Sequence, residues 1–77
     1  MPHVTIQHFP KDFSDAQRRE LADALTALIT DRFEVPPGAV SIGLEPVHPD
    51  EWQARVYGPV IEPRLPALLK RPDYDRQ

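Results

Sequence analysis

Ten prolines divide this chain of 77 residues, and their positions limit where a long helix can form. Proline has no backbone N–H and clashes with the preceding turn, so it interrupts both helices and strand ladders. Pro10 and the pair Pro36-Pro37 enclose residues 11–35, which contain no other proline. We therefore expect one long helix in this stretch, short extended segments on either side of it, and a segmented C-terminal half.

The segments on either side of the expected helix alternate apolar and polar residues, which is the period of a half-buried strand. The first runs from His3 to Phe9, where Pro10 ends it, and the second from Val40 to Glu45, where Pro46 ends it. A strand, a helix and a strand in this order predict an α+β fold built on a βαβ unit. Its two strands should be parallel, with a right-handed crossover.

The helix has a recognisable start and an apolar stripe. Ser14-Asp15-Ala16-Gln17 has the form of a capping box, in which the Ser14 hydroxyl accepts from the Gln17 amide and the Gln17 side chain reaches back. Apolar residues then recur at helical spacing: Leu21, Leu25, Leu28 and Ile29. The helix should continue to about Phe33. One face of the sheet should meet this stripe, with Val4, Ile6, Val40, Ile42 and Leu44. The opposite face should carry Thr5, Gln7, Ser41, Gly43 and Glu45.

The C-terminal part is expected to be a short, broken helix. Pro49 suits the first position of a helical turn at His48–Trp52. From Pro59 onward the apolar residues favour a helix, but Pro63 and Pro66 remove amide donors within it. We expect Pro66–Lys70 to be its most regular piece.

The chain is small enough to need help in forming a core. Residues 1–77 should make a single domain near the lower size limit, and the chain has no cysteine for disulfides or thiolate zinc ligands. Since two strands and one helix cannot close a core, we expect a homodimer with a four-stranded sheet. The net charge of −3 argues against a nucleic-acid partner. No apolar run is long enough to span a membrane, and the interpretation is a cytoplasmic protein.

Pro2 is the residue with the most distinctive chemistry. If Met1 is removed, Pro2 becomes a rigid secondary amine at the start of a strand. An ordinary α-amino group titrates at about pH 8, and an apolar or cationic environment brings its pKa closer to neutrality. Such an amine is a suitable general base for moving a proton on carbon. If Met1 is retained, the same nitrogen is an amide and cannot act as a base.

Metal and nucleophile chemistry find little support in the sequence. His3 and His8 are an odd number of residues apart on one strand, so they should point to opposite faces and cannot chelate one ion. No motif places a histidine where it could activate Ser41 as a nucleophile. We therefore expect no metal and no serine-based catalysis.

The order and spacing of several short motifs resemble the tautomerase superfamily over nearly the whole chain. These motifs are Pro2 opening a strand, His8-Phe9-Pro10-Lys11, the Ser-Asp-x-Gln cap, Val40-Ser41-Ile42, Pro49-Asp50-Glu51-Trp52 and the tail Lys70-Arg71-Pro72-Asp73-Tyr74. The chain looks most like the small dimeric 4-oxalocrotonate-tautomerase-like branch, the pyrimidone-tautomerase-like proteins of bacteria. The resemblance implies a cofactor-independent keto–enol tautomerase for small carbonyl compounds such as arylenolpyruvates, with Pro2 as the general base.

The resemblance also suggests pocket residues, with one departure. Where hexameric relatives carry an arginine that binds a substrate carboxylate, this chain has Ser41, so a dicarboxylate substrate is not expected. Lys11 is the nearest cation to the position of another family arginine, and Trp52 lies near that of the pocket aromatic. Phe9 is predicted to form either a pocket wall or a subunit contact. Two alternatives remain open: a non-catalytic dimeric binding or scaffold module with the same fold, and a nucleophilic or hydrating role for Pro2.

Overall fold

The computed structural model describes residues 1–74 and confirms the βαβ arrangement. Strand β1 spans His3–His8, helix α1 spans Asp15–Phe33 and strand β2 spans Ser41–Pro46. The two strands are parallel and form a two-stranded sheet, as the sequence predicts. A 3₁₀ turn at Pro37–Ala39 leads into β2. β2 extends through Pro46, which pairs with His8, rather than stopping before it.

The register of the sheet decides which side chains become neighbours. His3 lies opposite Ser41, and Gln7 lies opposite Glu45. Both pairs are joined by side-chain hydrogen bonds, of 2.6 Å and 2.7 Å respectively. Ser41, Gln7 and Glu45 belong to the face that the sequence predicted to be polar, and His3 lies on the same face.

Helix α1 begins and ends with local signals. Ser14 Oγ accepts from the backbone N–H of Gln17 at 3.1 Å, and the Ser14 N–H donates to Gln17 Oε1 at 3.0 Å, which confirms the capping box. At the other end Glu34 adopts a left-handed conformation with φ of 56°, and its N–H donates to the carbonyl of Thr30. This residue turns the chain out of the helix before Pro36.

The C-terminal region is a broken helix, as predicted, but the position of its regular part was wrong. After the expected turn at Pro49–Glu51, a π-helix spans Gln53–Ile61 and a 3₁₀-helix spans Glu62–Ala67. Leu68 is already extended, so Pro66–Lys70 is not a regular helix.

The wide π-helical turn depends on a close backbone approach at Gly58. A Cβ atom on Gly58 would lie 2.9 Å from the carbonyl oxygen of Gln53. Pro59 lacks an N–H, which weakens ordinary helical bonding at the same point. Together these residues favour a wide turn over a regular α-helix at this point.

Within residues 1–74, the buried core is small and lies in the C-terminal half. Val47, Val56 and Tyr57 are its members. α1 contributes no buried residue, and Leu28 on its apolar stripe is 51% exposed. One chain therefore leaves Leu28 in contact with solvent, while Leu21, Leu25 and Ile29 are half-buried. No helix in the described part of the chain is long and apolar enough to cross a membrane.

Candidate functional site

The amino end of the sheet brings Pro2 and Ser41 together. The backbone N–H of Ser41 donates to the carbonyl oxygen of Pro2 at 3.2 Å, so the first residue before β1 is held against the first residue of β2. Pro2 is half-buried. Met1 is 98% exposed, which leaves it accessible to a peptidase. Two of the predicted site residues thus share one end of the molecule.

A row of three hydrogen-bonded side chains, which includes His3 next to Pro2 in the chain, lies on the polar face of the sheet. His3 Nδ1 lies 2.6 Å from Ser41 Oγ, and His3 Nε2 lies 3.1 Å from Thr5 Oγ1. The sequence motifs placed no histidine at Ser41, whereas the structure sets His3 within hydrogen-bond distance of it. The cause is the strand register, which sets His3 directly opposite Ser41. Strand parity alone puts both on one face, but only the register makes them neighbours.

Phe9 and Trp52 meet at the opposite end of the sheet. Their rings pack edge to face with centroids 5.1 Å apart. Trp52 Nε1 also donates to the Tyr74 hydroxyl at 3.2 Å, and the Tyr74 ring lies 5.8 Å from that of Tyr57. The sequence predicted no contact between either tyrosine and the site residues, because these contacts depend on how the C-terminal segment folds back.

Lys11 lies in the loop after β1 and contacts an aromatic ring. Its Nζ is 5.6 Å from the centroid of Phe13, within the range of a cation–π interaction. The ring of His8 packs edge to face on Phe13 at 6.2 Å. His8 Nε2 is buried without a hydrogen-bond partner in the described part of the chain, while His8 Nδ1 lies 2.6 Å from the carbonyl oxygen of Phe9.

The predicted site residues therefore form two groups at opposite ends of β1. Pro2 and Ser41 lie at its start, and Phe9, Lys11 and Trp52 lie around its end. β1 has six residues, and strands rise by about 3.3 Å per residue, so the two groups are roughly 20 Å apart in one chain. A single chain does not bring all five residues to one place, and their joint role stays a prediction.

One groove in the described part of the chain is distinct from both groups. A shallow groove of about 140 Å³ lies between α1 and β2, lined by Arg18, Leu21, Ala22, Ile42, Gly43 and Leu44. Across residues 1–74, no three histidine, cysteine, aspartate or glutamate residues are placed to hold a metal ion.

Comparison with known proteins shows similarity along nearly the full length. Residues 2–61 match the sequence model of a family described as "Tautomerase enzyme". The protein named "Tautomerase PptA" from Cronobacter sakazakii is 39% identical over 75 residues, which cover 97% of this chain and 99% of that protein. The proteins of the same name from Pectobacterium carotovorum subsp. carotovorum and Klebsiella pneumoniae (strain 342) are 34% and 39% identical over 74 residues, covering 96% of this chain and 97% of each.

Proposed function

The chain belongs to the tautomerase family and is an isomerase acting on a small molecule, and from this premise we propose that Pro2 is its general base once Met1 has been removed. The proposed reaction is keto–enol isomerisation of small enolisable carbonyl compounds such as arylenolpyruvates. Residues 1–77 would carry it out as a single domain. The observation that carries this proposal is the hydrogen bond from the Ser41 N–H to the Pro2 carbonyl, which holds the Pro2 main chain beside the start of β2.

Pro2 has the properties that a proton-shuttling amine needs. Its ring is rigid and half-buried, and its carbonyl is held by β2. In the ketonisation of an enol, the neutral amine takes the proton of the enol oxygen. The oxygen electrons form the carbonyl bond, the electrons of the carbon–carbon double bond take the proton back from the ammonium group, and the free amine is restored. This cycle needs no cofactor.

A homodimer would join the two groups of site residues. If the free edges of two β1 strands pair antiparallel, the start of each strand lies beside the end of the other. Pro2 of one subunit would then lie near Phe9 and Trp52 of the partner subunit, across a four-stranded sheet. The exposure of Leu28 on α1 supports this proposal, because a subunit interface would cover this apolar side chain.

The side chains around this composite site favour a monocarboxylic substrate with an apolar tail. Phe9 and Trp52 present an aromatic surface suited to an aryl group. Lys11 would add positive charge that attracts a carboxylate and disfavours protonation of Pro2. Ser41 offers a neutral hydroxyl and no positive charge, so it would not compensate the charge of a second carboxylate.

The test of Pro2 is whether its nitrogen must be a free amine. Purified protein should have an intact mass lacking Met1, and it should ketonise phenylenolpyruvate. A matched protein that retains one residue before Pro2 has an amide at the same position and should be inactive while folding identically by circular dichroism. Equal activity of the two forms would overturn the proposal.

A further inference from the structure

The hydrogen-bonded row Thr5–His3–Ser41 has a direction that depends on the tautomer of His3. A neutral imidazole has one donor nitrogen and one acceptor nitrogen. In one arrangement Thr5 donates to His3 Nε2 and His3 Nδ1–H donates to Ser41 Oγ, at 3.1 Å and 2.6 Å. The Ser41 hydroxyl hydrogen is then free to point away from the row. In the other arrangement the Ser41 hydroxyl donates its hydrogen to His3 Nδ1, so this hydrogen is not available to a substrate.

In the first arrangement the free hydrogen is available to a substrate bound at the amino end of the sheet, the end where Pro2 also lies. Ser41 is attached to Pro2 through its own backbone N–H, at 3.2 Å from the Pro2 carbonyl oxygen. A substrate whose proton is exchanged with Pro2 therefore places its oxygen close to Ser41. When that oxygen loses its proton, it becomes an enolate, and a directed hydrogen-bond donor stabilises the negative charge. The enolate also selects the first arrangement, because only that one offers a hydrogen.

We propose that the Ser41 hydroxyl donates a hydrogen bond to the enolate oxygen and that His3 is a positioning residue that directs this donor. The proposal rests on the proposed function of Pro2 and adds a second catalytic group to it. His3 acts through Ser41. When His3 Nδ1–H donates to Ser41 Oγ, the hydroxyl hydrogen cannot point at His3 and is left to turn toward the substrate. Thr5 has a smaller part, because at an exposed position water can replace its bond to Nε2.

The first experiment is a double-mutant cycle at positions 3 and 41. Ser41→Ala should lower kcat for phenylenolpyruvate about ten- to a hundredfold with little change in KM, since the bond strengthens only as the enolate forms. His3→Val should have a similar effect. The double variant should be no slower than Ser41→Ala alone, because His3 has nothing left to direct once the Ser41 hydroxyl is gone. Losses that multiply in the double variant would overturn the positioning role of His3.

Conservative variants and a control separate this proposal from other causes. His3→Asn keeps an N–H donor near the Nδ1 position and should recover most of the activity lost in His3→Val. Equal loss in both variants would contradict the role of a directing donor. His48→Asn is a matched substitution at an exposed turn, where asparagine can still cap the segment, and should leave activity unchanged.

These measurements also separate the proposal for Ser41 as enolate donor from the proposal for Pro2 as general base. If Ser41→Ala matches wild type while loss of the free amine abolishes activity, Pro2 stands and the enolate donor is wrong. If activity persists without the free amine, the proposed function itself fails. Circular dichroism should show that each variant is folded, since His3 and Ser41 are exposed and their substitution disturbs no core.

Discussion

Pro2 and Ser41 are joined by a backbone hydrogen bond of 3.2 Å, in which the Ser41 N–H donates to the Pro2 carbonyl oxygen. This bond extends the parallel pairing of β1 and β2 to the residue before β1. It holds the main chain of Pro2 against the first residue of β2, which carries the Ser41 side chain. The first consequences concern the chemistry of the Pro2 nitrogen.

Substitution of Pro2 by alanine should slow catalysis strongly. The variant still has an amino-terminal amine after removal of Met1, but it loses the ring that restricts rotation. If Pro2 is the general base, as proposed, kcat/KM of the wild type for phenylenolpyruvate should rise with pH as the amine loses its proton. Steady-state rates across pH measure both effects. A Pro2→Ala protein with the wild-type rate and profile would show that the ring is not required.

The apolar stripe of α1 provides a test of dimer formation. Leu28 is 51% exposed in one chain, so Leu28→Glu should cost little within a subunit but weaken an interface that covers it. Light scattering of the wild type should give twice the chain mass of 8.8 kDa, and the variant should shift toward one chain. Ala27→Glu, on the neighbouring exposed position of the helix, is the matched control. A wild type that is monomeric and folded at micromolar concentration would contradict the dimer.

Gly58 should be the glycine that tolerates alanine least. Its added Cβ would lie 2.9 Å from the carbonyl oxygen of Gln53, whereas a Cβ on Gly38 meets no atom within 4 Å. Forced repacking of this kind costs about 1–3 kcal/mol. Urea denaturation should therefore show a clear loss of unfolding free energy for Gly58→Ala and little change for Gly38→Ala. Equal effects would mean that the π-helical turn relaxes without cost.

The hydrogen bond from Trp52 Nε1 to the Tyr74 hydroxyl, 3.2 Å long, should anchor the C-terminal segment. Tyr74→Phe removes this bond and keeps the ring that packs on Tyr57. We expect a loss of about 0.5–1.5 kcal/mol in unfolding free energy, toward the lower value because the pair is exposed. Trp52 is the single tryptophan of the chain, so its fluorescence reports the change directly. An unchanged emission spectrum and midpoint would show that this contact does not hold the segment.

The parts of the fold that follow from local patterns could be predicted, and the parts that depend on distant contacts could not. The Ser14–Gln17 capping box and the alternation in both strands are local, and the structure confirms them. The contact of His3 with Ser41 depends on strand register across many residues. The bond between Trp52 and Tyr74 depends on the path of the C-terminal segment. The prolines in this segment interrupt helical periodicity, so the spacing of apolar residues does not predict that path.

Ser41 should also decide which acids the enzyme prefers. A serine hydroxyl is one neutral donor, whereas an arginine can hold a carboxylate with two charge-assisted hydrogen bonds. A charge-assisted bond contributes about 1.5–3 kcal/mol, equivalent to roughly ten- to a hundredfold in binding or rate. Ser41→Arg should therefore shift kcat/KM toward dicarboxylic enols and away from monocarboxylic ones with an apolar tail.

Space for the arginine side chain is available on the same strand. A Cβ on Gly43 would meet no atom within 4 Å, and Gly43 lies two residues from Ser41 on the same face. The measurement compares kcat/KM for a matched pair of mono- and dicarboxylic enols before and after the substitution. Ser41→Lys, with a single-point charge, is the control and should shift the ratio less, because it cannot form the paired bonds. An unchanged ratio in a folded Ser41→Arg protein would mean that position 41 does not face the substrate.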